Sequence, residues 1–348
     1  MLSAEGQRVR QDLRLGGEHA AWLDQLDEVE TAGDRGQAGQ AGLPPAPDRV
    51  GGTLARLGVA DDDAAAIVAT RPELDRSPSL RWLLRRCVSL IADRMGDAGA
   101  PSVPLPQLPA ALGAAGRCFP AHLFLAAMPA TLAWHRRQGI PPETSWATFA
   151  DLGRHMAIYR TTHGMAGVDE PWWLMLHLQG LIYELGRLQY NLLRLGAGSS
   201  SPGAWYDRSQ AGRLGIGFRP GDDGLGVHIP QAGPLTPASC DESMAAARPF
   251  FDRHFPSPTR RIAICESWLL DDQLSHYLPA GSNIVQFQRR FTLTPTWSSG
   301  DKDITQFVFR RSEGDLAGVP QGTVLERAVV THLRAGRHWR LRCGWVRL

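Results

Sequence analysis

A chain of 348 residues, 43% hydrophobic, is large enough for two domains and a substantial core. Its formal net charge of +2 excludes, on composition, a polybasic binder of nucleic acid or anionic membrane, and with Lys302 as the single lysine it leaves Schiff-base chemistry almost no candidate. Cys87, Cys118, Cys240, Cys265 and Cys343 are odd in number, scattered and without a CxxC pair, which points to a reducing compartment and away from a metal site.

Residues 1–30 carry Leu13, Leu15, Trp22, Leu23 and Leu26 at spacing suited to one amphipathic helix. Residues 31–49, TAGDRGQAGQAGLPPAPDR, are rich in Gly, Ala and Pro and read as a flexible linker. Residues 1–49 are therefore expected to be an arm and linker that hangs loose, docks back or meets a second subunit. The opening MLSAEGQRVRQDLRL lacks the apolar core of a secretory signal, and no run is expected to be long enough to cross a bilayer. A cytoplasmic protein is the expectation.

From residue 50 to 182 the pattern is helical. Thr53–Leu57 and Asp61–Ala69 read as short helices and Leu80–Ala92 as an amphipathic one. Asp93–Gln107 is a Pro/Gly-rich crossing, and Ala121–Gln138, Pro141–Tyr159 and Trp172–Ile182 complete a bundle. Within it, His163-Gly-Met-Ala-Gly167 precedes Asp169-Glu170-Pro171-Trp172-Trp173. Asp169 and Trp172 are candidates to line a pocket for a cationic or amine acceptor. The plainer reading has the acids cap the helix that starts at Pro171 while the tryptophans fill the interface between the domains.

Residues 183–348 change period. Arg187–Leu195 alternates as a strand, and Arg213–Phe218 and Gly224–His228 flank the turn sequence Pro-Gly-Asp-Asp-Gly. Strand-like Leu225–Pro230, Arg261–Ser267 and Asn283–Phe291 alternate with helix-like Pro237–His254 and Asp271–Leu278. That is a β-α-β unit with parallel neighbouring strands. Thr236 can cap the first of these helices, with Pro237 at its first position. Thr305–Arg310 reads as a strand, Thr323–Arg334 as a helix ending at Gly336, and Trp339–Leu348 as the last strand.

Open α/β sheets place their sites at the carboxyl ends of parallel strands. His228 ends the first strand of the unit, and Cys265 and Ser267 end the second. His228 is a candidate general base because imidazole titrates near neutral pH. Cys265 is a candidate nucleophile or acid, against the plainer reading of an inert core thiol. Ser267 is a candidate donor to an oxyanion or a leaving thiolate, or a helix cap. Gln231-Ala232-Gly233-Pro234-Leu235, running into a helix N-terminus, can offer backbone N–H groups to a phosphate.

The segments HIPQAGPLTPASCDES…ARPFF, CESWLLDDQL and SNIVQFQRRF, with Tyr183-Glu-Leu-Gly-Arg-Leu-Gln-Tyr190, resemble a bacterial, actinobacterial-type acyltransferase-domain family. That family has a helical N-acyltransferase N-terminal domain and a GNAT-like C-terminal domain, and the resemblance spans roughly residues 50–348. It implies an α+β fold, with a helical domain followed by a mixed β-sheet flanked by helices. It also implies transfer of an acyl group from an acyl-CoA thioester to an amine by direct attack, without a metal. The pantetheine arm would lie in a crevice between Leu225–Pro230 and Arg261–Ser267. The pyrophosphate would sit on Ile229, Gln231, Ala232, Gly233 and Leu235, with Asn283 on the pantetheine amides. Arg187, Gln189 and Trp268, with Asp169 and Trp172, are the acceptor-side candidates for a small-molecule amine bound between the domains.

The usual GNAT loop has a second glycine that this chain lacks, so a donor carried on an acyl carrier protein stays open. Two other readings stay beside this one: a covalent acyl-Cys265 route ending in transfer or hydrolysis, and a GNAT-like binding module without catalysis.

Overall fold

The computed structural model describes residues 2–29, 43–100, 103–195, 221–311 and 313–348. The chain divides into two compact units, Met1–Tyr183 and Glu184–Leu348.

The first unit is helical. It contains α1 (Ala4–Asp12), α2 (Ala20–Asp27), α3 (Pro47–Arg56), α4 (Asp61–Arg76), α5 (Pro78–Asp93), α6 (Gly113–Arg137), α7 (Pro142–Phe149), α8 (Asp151–His163) and α9 (Pro171–Leu178). Helix α6 is its axis. Phe119, Leu123, Phe124 and Leu125 are fully buried, and α4, α5 and α9 pack around them. With the turn before it, this helix (Ala110–Arg137) is long and apolar enough to cross a membrane, contrary to expectation, yet 72% of its most apolar window is buried inside the protein. The single helix expected over Pro141–Tyr159 is two, parted at Ala150.

The N-terminal segment docks back as two helices. Leu13, Leu15, Trp22, Leu23 and Leu26 are all buried in the same core as α6. Polar ties reinforce it: the Ser79 hydroxyl donates to Asp12 at 2.7 Å, His19 Nε2 meets the Gln107 carbonyl at 2.9 Å, and Arg94 donates to Gln25 Oε1 at 3.5 Å. The segment 30–42 lies outside the described residues.

The second unit holds a six-stranded sheet in the order β1-β2-β3-β4-β6-β5. Its strands are β1 (Ile182–Leu185), which carries the chain across from the first unit, β2 (Leu188–Arg194), β3 (Asp223–His228), β4 (Ile262–Ser267), β5 (Thr292–Ser299) and β6 (Arg340–Arg347). β3 and β4 are parallel; β2–β3, β4–β6 and β5–β6 are antiparallel. The crossover helix α10 (Pro237–His254) has the predicted bounds, with the Thr236 hydroxyl accepting from the Ser239 N–H. The strand expected over 213–218 lies outside the described residues.

Four expectations change. The helix expected over Trp172–Ile182 ends at Leu178, and Ile182 opens β1. Asn283–Phe291 is not a strand: its first six residues form α11 (Asn283–Gln288), because the Ser282 hydroxyl caps it by accepting from Val285 N–H. Thr305–Arg310 falls in α12 (Asp301–Phe309), whose first turn carries Asp301 and Asp303. The segment around Asp271–Leu278 is short 3₁₀ structure, Asp272–His276. β5 went unpredicted because Pro295 sits inside it. A register irregularity between Leu293 and Trp297 absorbs the proline on a strand at the sheet's edge. The last helix, α13 (Val324–Arg334), forms as expected, with a capping box between Thr323 and Glu326.

Helix α8 runs so close to the end of α3 that a Cβ at Gly153 would collide with the Leu57 carbonyl and Gly58 backbone. Gly153→Ala should therefore cost about 1–3 kcal/mol of overpacking strain. Gly52, exposed on α3 with open space beside it, should gain about 0.5–1 kcal/mol when changed to alanine. Urea denaturation of the two variants reads both signs.

Candidate active site

The sheet opens between its two parallel strands. β3 and β4 pair only at Leu225↔Ala263 and Gly226↔Ile264. Each then keeps its outer partner: β3 stays with β2 as far as Gln189↔His228, and β4 with β6 as far as Ser267↔Arg342. Beyond Gly226 and Ile264 no further β3–β4 pair is registered among the described residues, and these inner edges are the candidate crevice. Backbone groups at such an edge are strong donors and acceptors available to a ligand.

Side chains alternate along a strand, so register assigns their faces. Gln189, Asn191, Gly226, His228, Ile264 and Glu266 share one face. Tyr190, Val227, Cys265 and Ser267 share the other, where the Tyr190 hydroxyl meets Ser243 of α10 at 3.2 Å. His228 and Cys265, expected to work together, are thus on opposite faces. His228 is half-buried, with Nε2 at 2.7 Å from Asn191 Oδ1. Cys265 is 1% exposed, and burial first, with Glu266 adding to it, pushes its thiol up to about 12. All five cysteines are free and buried.

The loop from Ile229 to Leu235 runs from β3 into α10. Arg187 braces it from the start of β2, donating to the carbonyls of Pro230 (3.0 Å), Gly233 (2.8 Å) and Pro234 (3.1 Å). Gly233 has φ +84°, a conformation side chains disfavour. Leu235 is buried and anchors the loop, whereas Gln231, Ala232 and Gly233 are exposed. Arg310, at the end of α12, donates to Gln231 Oε1, and Gln231 Nε2 approaches the Phe307 carbonyl at 3.5 Å. Arg290 donates to the Pro237 carbonyl at 3.0 Å and pairs with Asp241 at 2.7 Å. Three guanidinium groups therefore surround a loop and a helix N-terminus, an arrangement that suits a pyrophosphate. Arg187, expected to contact the acceptor or form a salt bridge between the domains, donates here to three loop carbonyls.

The other candidates have structural partners. Ser267 accepts from the Leu269 N–H at 3.1 Å, capping the 3₁₀ turn that follows β4. Trp268 is buried in the core around Trp339. Asn283 is half-buried on the first turn of α11, off any strand. Gln189 is buried and donates to Glu184 at 3.2 Å. In the helical unit, Asp169 pairs with His163 at 2.8 Å, and Trp172 is 52% exposed. Trp173 instead donates to buried Asp151 at 2.9 Å. Burial raises the pKa of Asp151, but hydrogen bonds and charges from His155 and His177 outweigh it and hold the carboxyl well below its usual range.

Asn191, Gly226, Glu266, Arg290 and Arg310 were missed by sequence reasoning. The alternation of β2 could have flagged Asn191, a polar residue on the face that Gln189 also occupies. Arg290 and Arg310 had no sequence signal, since they reach the loop and helix start from two separate elements far along the chain. A cavity of about 600 Å³ lies elsewhere, beside Arg10, Arg14 and Asp24 of the helical unit. It is a surface hollow without catalytic groups arranged around it, and the crevice is the better candidate.

Residues 48–180 match the profile of an N-acyltransferase N-terminal domain, and residues 182–346 that of a GNAT-like C-terminal domain. Among solved structures, an acyltransferase in complex with decanoyl-CoA and teicoplanin is 40% identical, with a TM-score of 0.85 and 99% of each chain covered. An acyltransferase in complex with decanoyl-CoA alone matches at the same identity, TM-score and coverage. A tryptophan-to-alanine mutant acyltransferase in complex with octanoyl-CoA is 39% identical, with a TM-score of 0.86 over 99% of each chain. No curated protein matches the sequence.

A thiol held protonated and enclosed cannot serve as a nucleophile at neutral pH. Native protein should leave Cys265 unlabelled by a thiol-disulfide reagent until it is unfolded. Cys265→Ala should keep full acyl-transfer activity while losing about 1 kcal/mol of stability to the small cavity. Loss of activity in a folded variant would reinstate the covalent route.

Proposed function

The chain belongs to the acyltransferase family built from an N-acyltransferase N-terminal domain and a GNAT-like C-terminal domain, and on that premise we propose that it transfers a medium-chain acyl group from acyl-CoA to an amine of a glycopeptide acceptor. The observation that carries this reading is the parting of β3 and β4 beyond Gly226 and Ile264 beside an arginine-ringed loop. The donor class and the glycopeptide acceptor are suggested by relatives that hold octanoyl-CoA, decanoyl-CoA and teicoplanin.

In the proposed reaction the pantetheine arm adds along the open edges of β3 and β4. The amide groups of an extended arm are suited to the backbone N–H and C=O groups there. The loop at Ile229–Leu235 and the first turn of α10 take the pyrophosphate, with charge from Arg310 and Arg290, and Asn283 reaches the arm. Arg187 acts through the loop by fixing three of its carbonyls, so that the remaining backbone keeps one shape. The amine nitrogen forms a bond to the thioester carbon and gives up a proton to His228. The tetrahedral oxyanion is met by N–H groups of the open strand edge. The C–S bond then breaks, and the thiolate takes a proton from water; Ser267, on the face of Cys265 and capping the turn after β4, is not placed for that role.

The covalent alternative is disfavoured by the burial and raised pKa of Cys265 and by its place on the face away from His228.

A ligand that binds only the folded state raises the melting temperature, by about 2.7 kcal/mol of stability at a hundredfold excess over Kd. Octanoyl- and decanoyl-CoA should raise it by several degrees and acetyl-CoA by less. Absence of a shift with every CoA species would overturn the free-CoA reading. Arg187→Met should raise KM for decanoyl-CoA while sparing kcat, and should not affect a decanoyl-pantetheine donor that has no pyrophosphate. His228→Gln should lower kcat by about 10²–10⁴.

A further inference from the structure

His228 and Asn191 meet across a gap that one glycine makes. In the β2–β3 ladder Asn191 stands directly opposite Gly226, and His228 is the next residue of β3 on that face. The Asn191 amide leans diagonally over Gly226 to reach the imidazole at 2.7 Å. A Cβ on Gly226 would collide with Asn191 Oδ1 and press on His228 Nε2 at 3.1 Å. Gly226 has no positive φ and lies inside a strand, where glycine is disfavoured by entropy and by lost packing. Its use here is explained by the side chain that passes above it.

The amide has one orientation. Asn191 Nδ2 donates to the Leu192 carbonyl at 3.1 Å, so Oδ1 is the atom turned to the ring. An amide oxygen only accepts. His228 Nε2 must therefore carry the proton, and in the neutral ring the lone pair is on Nδ1.

We propose that Asn191 is a positioning residue that locks His228 in its Nε2–H tautomer, making Nδ1 the atom that takes the proton from the attacking amine, and that Gly226 is the gap that permits the contact. This rests on the reading of His228 as the base. A ring free to exchange tautomers spends part of its time with the lone pair turned away from the substrate. The lock removes that fraction and fixes the ring plane at once.

Among the described residues, Glu266 of β4 shares this face one strand away, and Glu184 accepts from Gln189, the residue directly opposite His228. Arg187, at the start of β2, is engaged by the loop carbonyls. Helix α10 packs on the opposite face. None of these groups changes in the variants below, so a moved titration is assignable to position 191.

The test uses the whole protein with decanoyl-CoA and deacylated teicoplanin, following CoA release against pH. Asn191→Asp puts a carboxylate beside the imidazole and favours its cation, so the acid limb of kcat/KM should move up by about one pH unit or more. Asn191→Ala should lower kcat by about tenfold, a part of what a general base supplies, with KM for decanoyl-CoA unchanged. Gly226→Ala displaces Asn191, so its loss should not add to that of Asn191→Ala in the double variant. Histidine ¹⁵N spectra, with the His228 signal identified by its absence in His228→Gln, should show the Nε2–H form in the wild type and a tautomer mixture in Asn191→Ala.

A wild-type ring protonated on Nδ1 would overturn the proposal. So would Asn191 variants that move only the melting temperature while limb and kcat stay put. If His228→Gln is inactive and the Asn191 variants are silent, the lock alone fails. If His228→Gln retains the wild-type rate and limb, the base assignment fails and takes the lock with it.

Discussion

The organisation of the second unit depends on where β3 and β4 stop pairing. Each strand spends its outer edge on an antiparallel neighbour along its whole length, β2 for one and β6 for the other. Their mutual ladder has two registered pairs and ends. A buried sheet does not leave backbone donors and acceptors unpaired without cause, because each unmet group costs about 1–3 kcal/mol. An interruption in the middle of a six-stranded sheet, as the described residues show it, is therefore a natural place for a ligand to add its own donors and acceptors. Everything chemically notable in this unit lies within a few residues of that break.

Two devices adjoin it. On the far side of His228, the loop into α10 is shaped by one guanidinium that takes three carbonyls. Planar, multiply donating arginine does this where lysine could not, which suits a chain whose basic residues are nearly all arginine. On the near side, a glycine opens room for an amide to reach the imidazole. The first device sets backbone shape for an anionic ligand, and the second sets the protonation pattern of a titrating ring. Neither relies on the buried thiol of Cys265.

The helical unit is built on a different economy. One large apolar core centred on α6 is threaded by long-range polar contacts such as Arg160 with Asp63, Thr131 with the Leu178 carbonyl and Trp173 with Asp151. The N-terminal segment contributes Val9, Leu13, Leu15, Trp22, Leu23, Leu26 and Val29 to that core and is tied by polar contacts through Asp12, His19 and Gln25. A segment whose large apolar residues are mostly enclosed is part of the unit that encloses them. Its sequence looked detachable only because Gly- and Pro-rich residues follow it.

Much of this protein was decided locally and could be read from the chain. The helical first half followed from apolar spacing, the bounds of α10 from Thr236 and Pro237, and the β-α-β order from alternating periods. His228 at a strand end, and a loop before a helix, followed from that order. The failures were local as well. Ser282 turned an apolar run into α11, and Pro295 hid an edge strand that a bulge accommodates. What only the tertiary structure decided was partnership. Register, which no single strand encodes, put His228 with Asn191 and Gly226 and set Cys265 on the other face. Arg187, Arg290 and Arg310 converge from β2, the end of α11 and the end of α12, across more than a hundred residues of chain. Periodicity fixes which way a side chain points relative to its own backbone, and sheet pairing fixes what it meets there; the second is a long-range contact, and it is what makes the site.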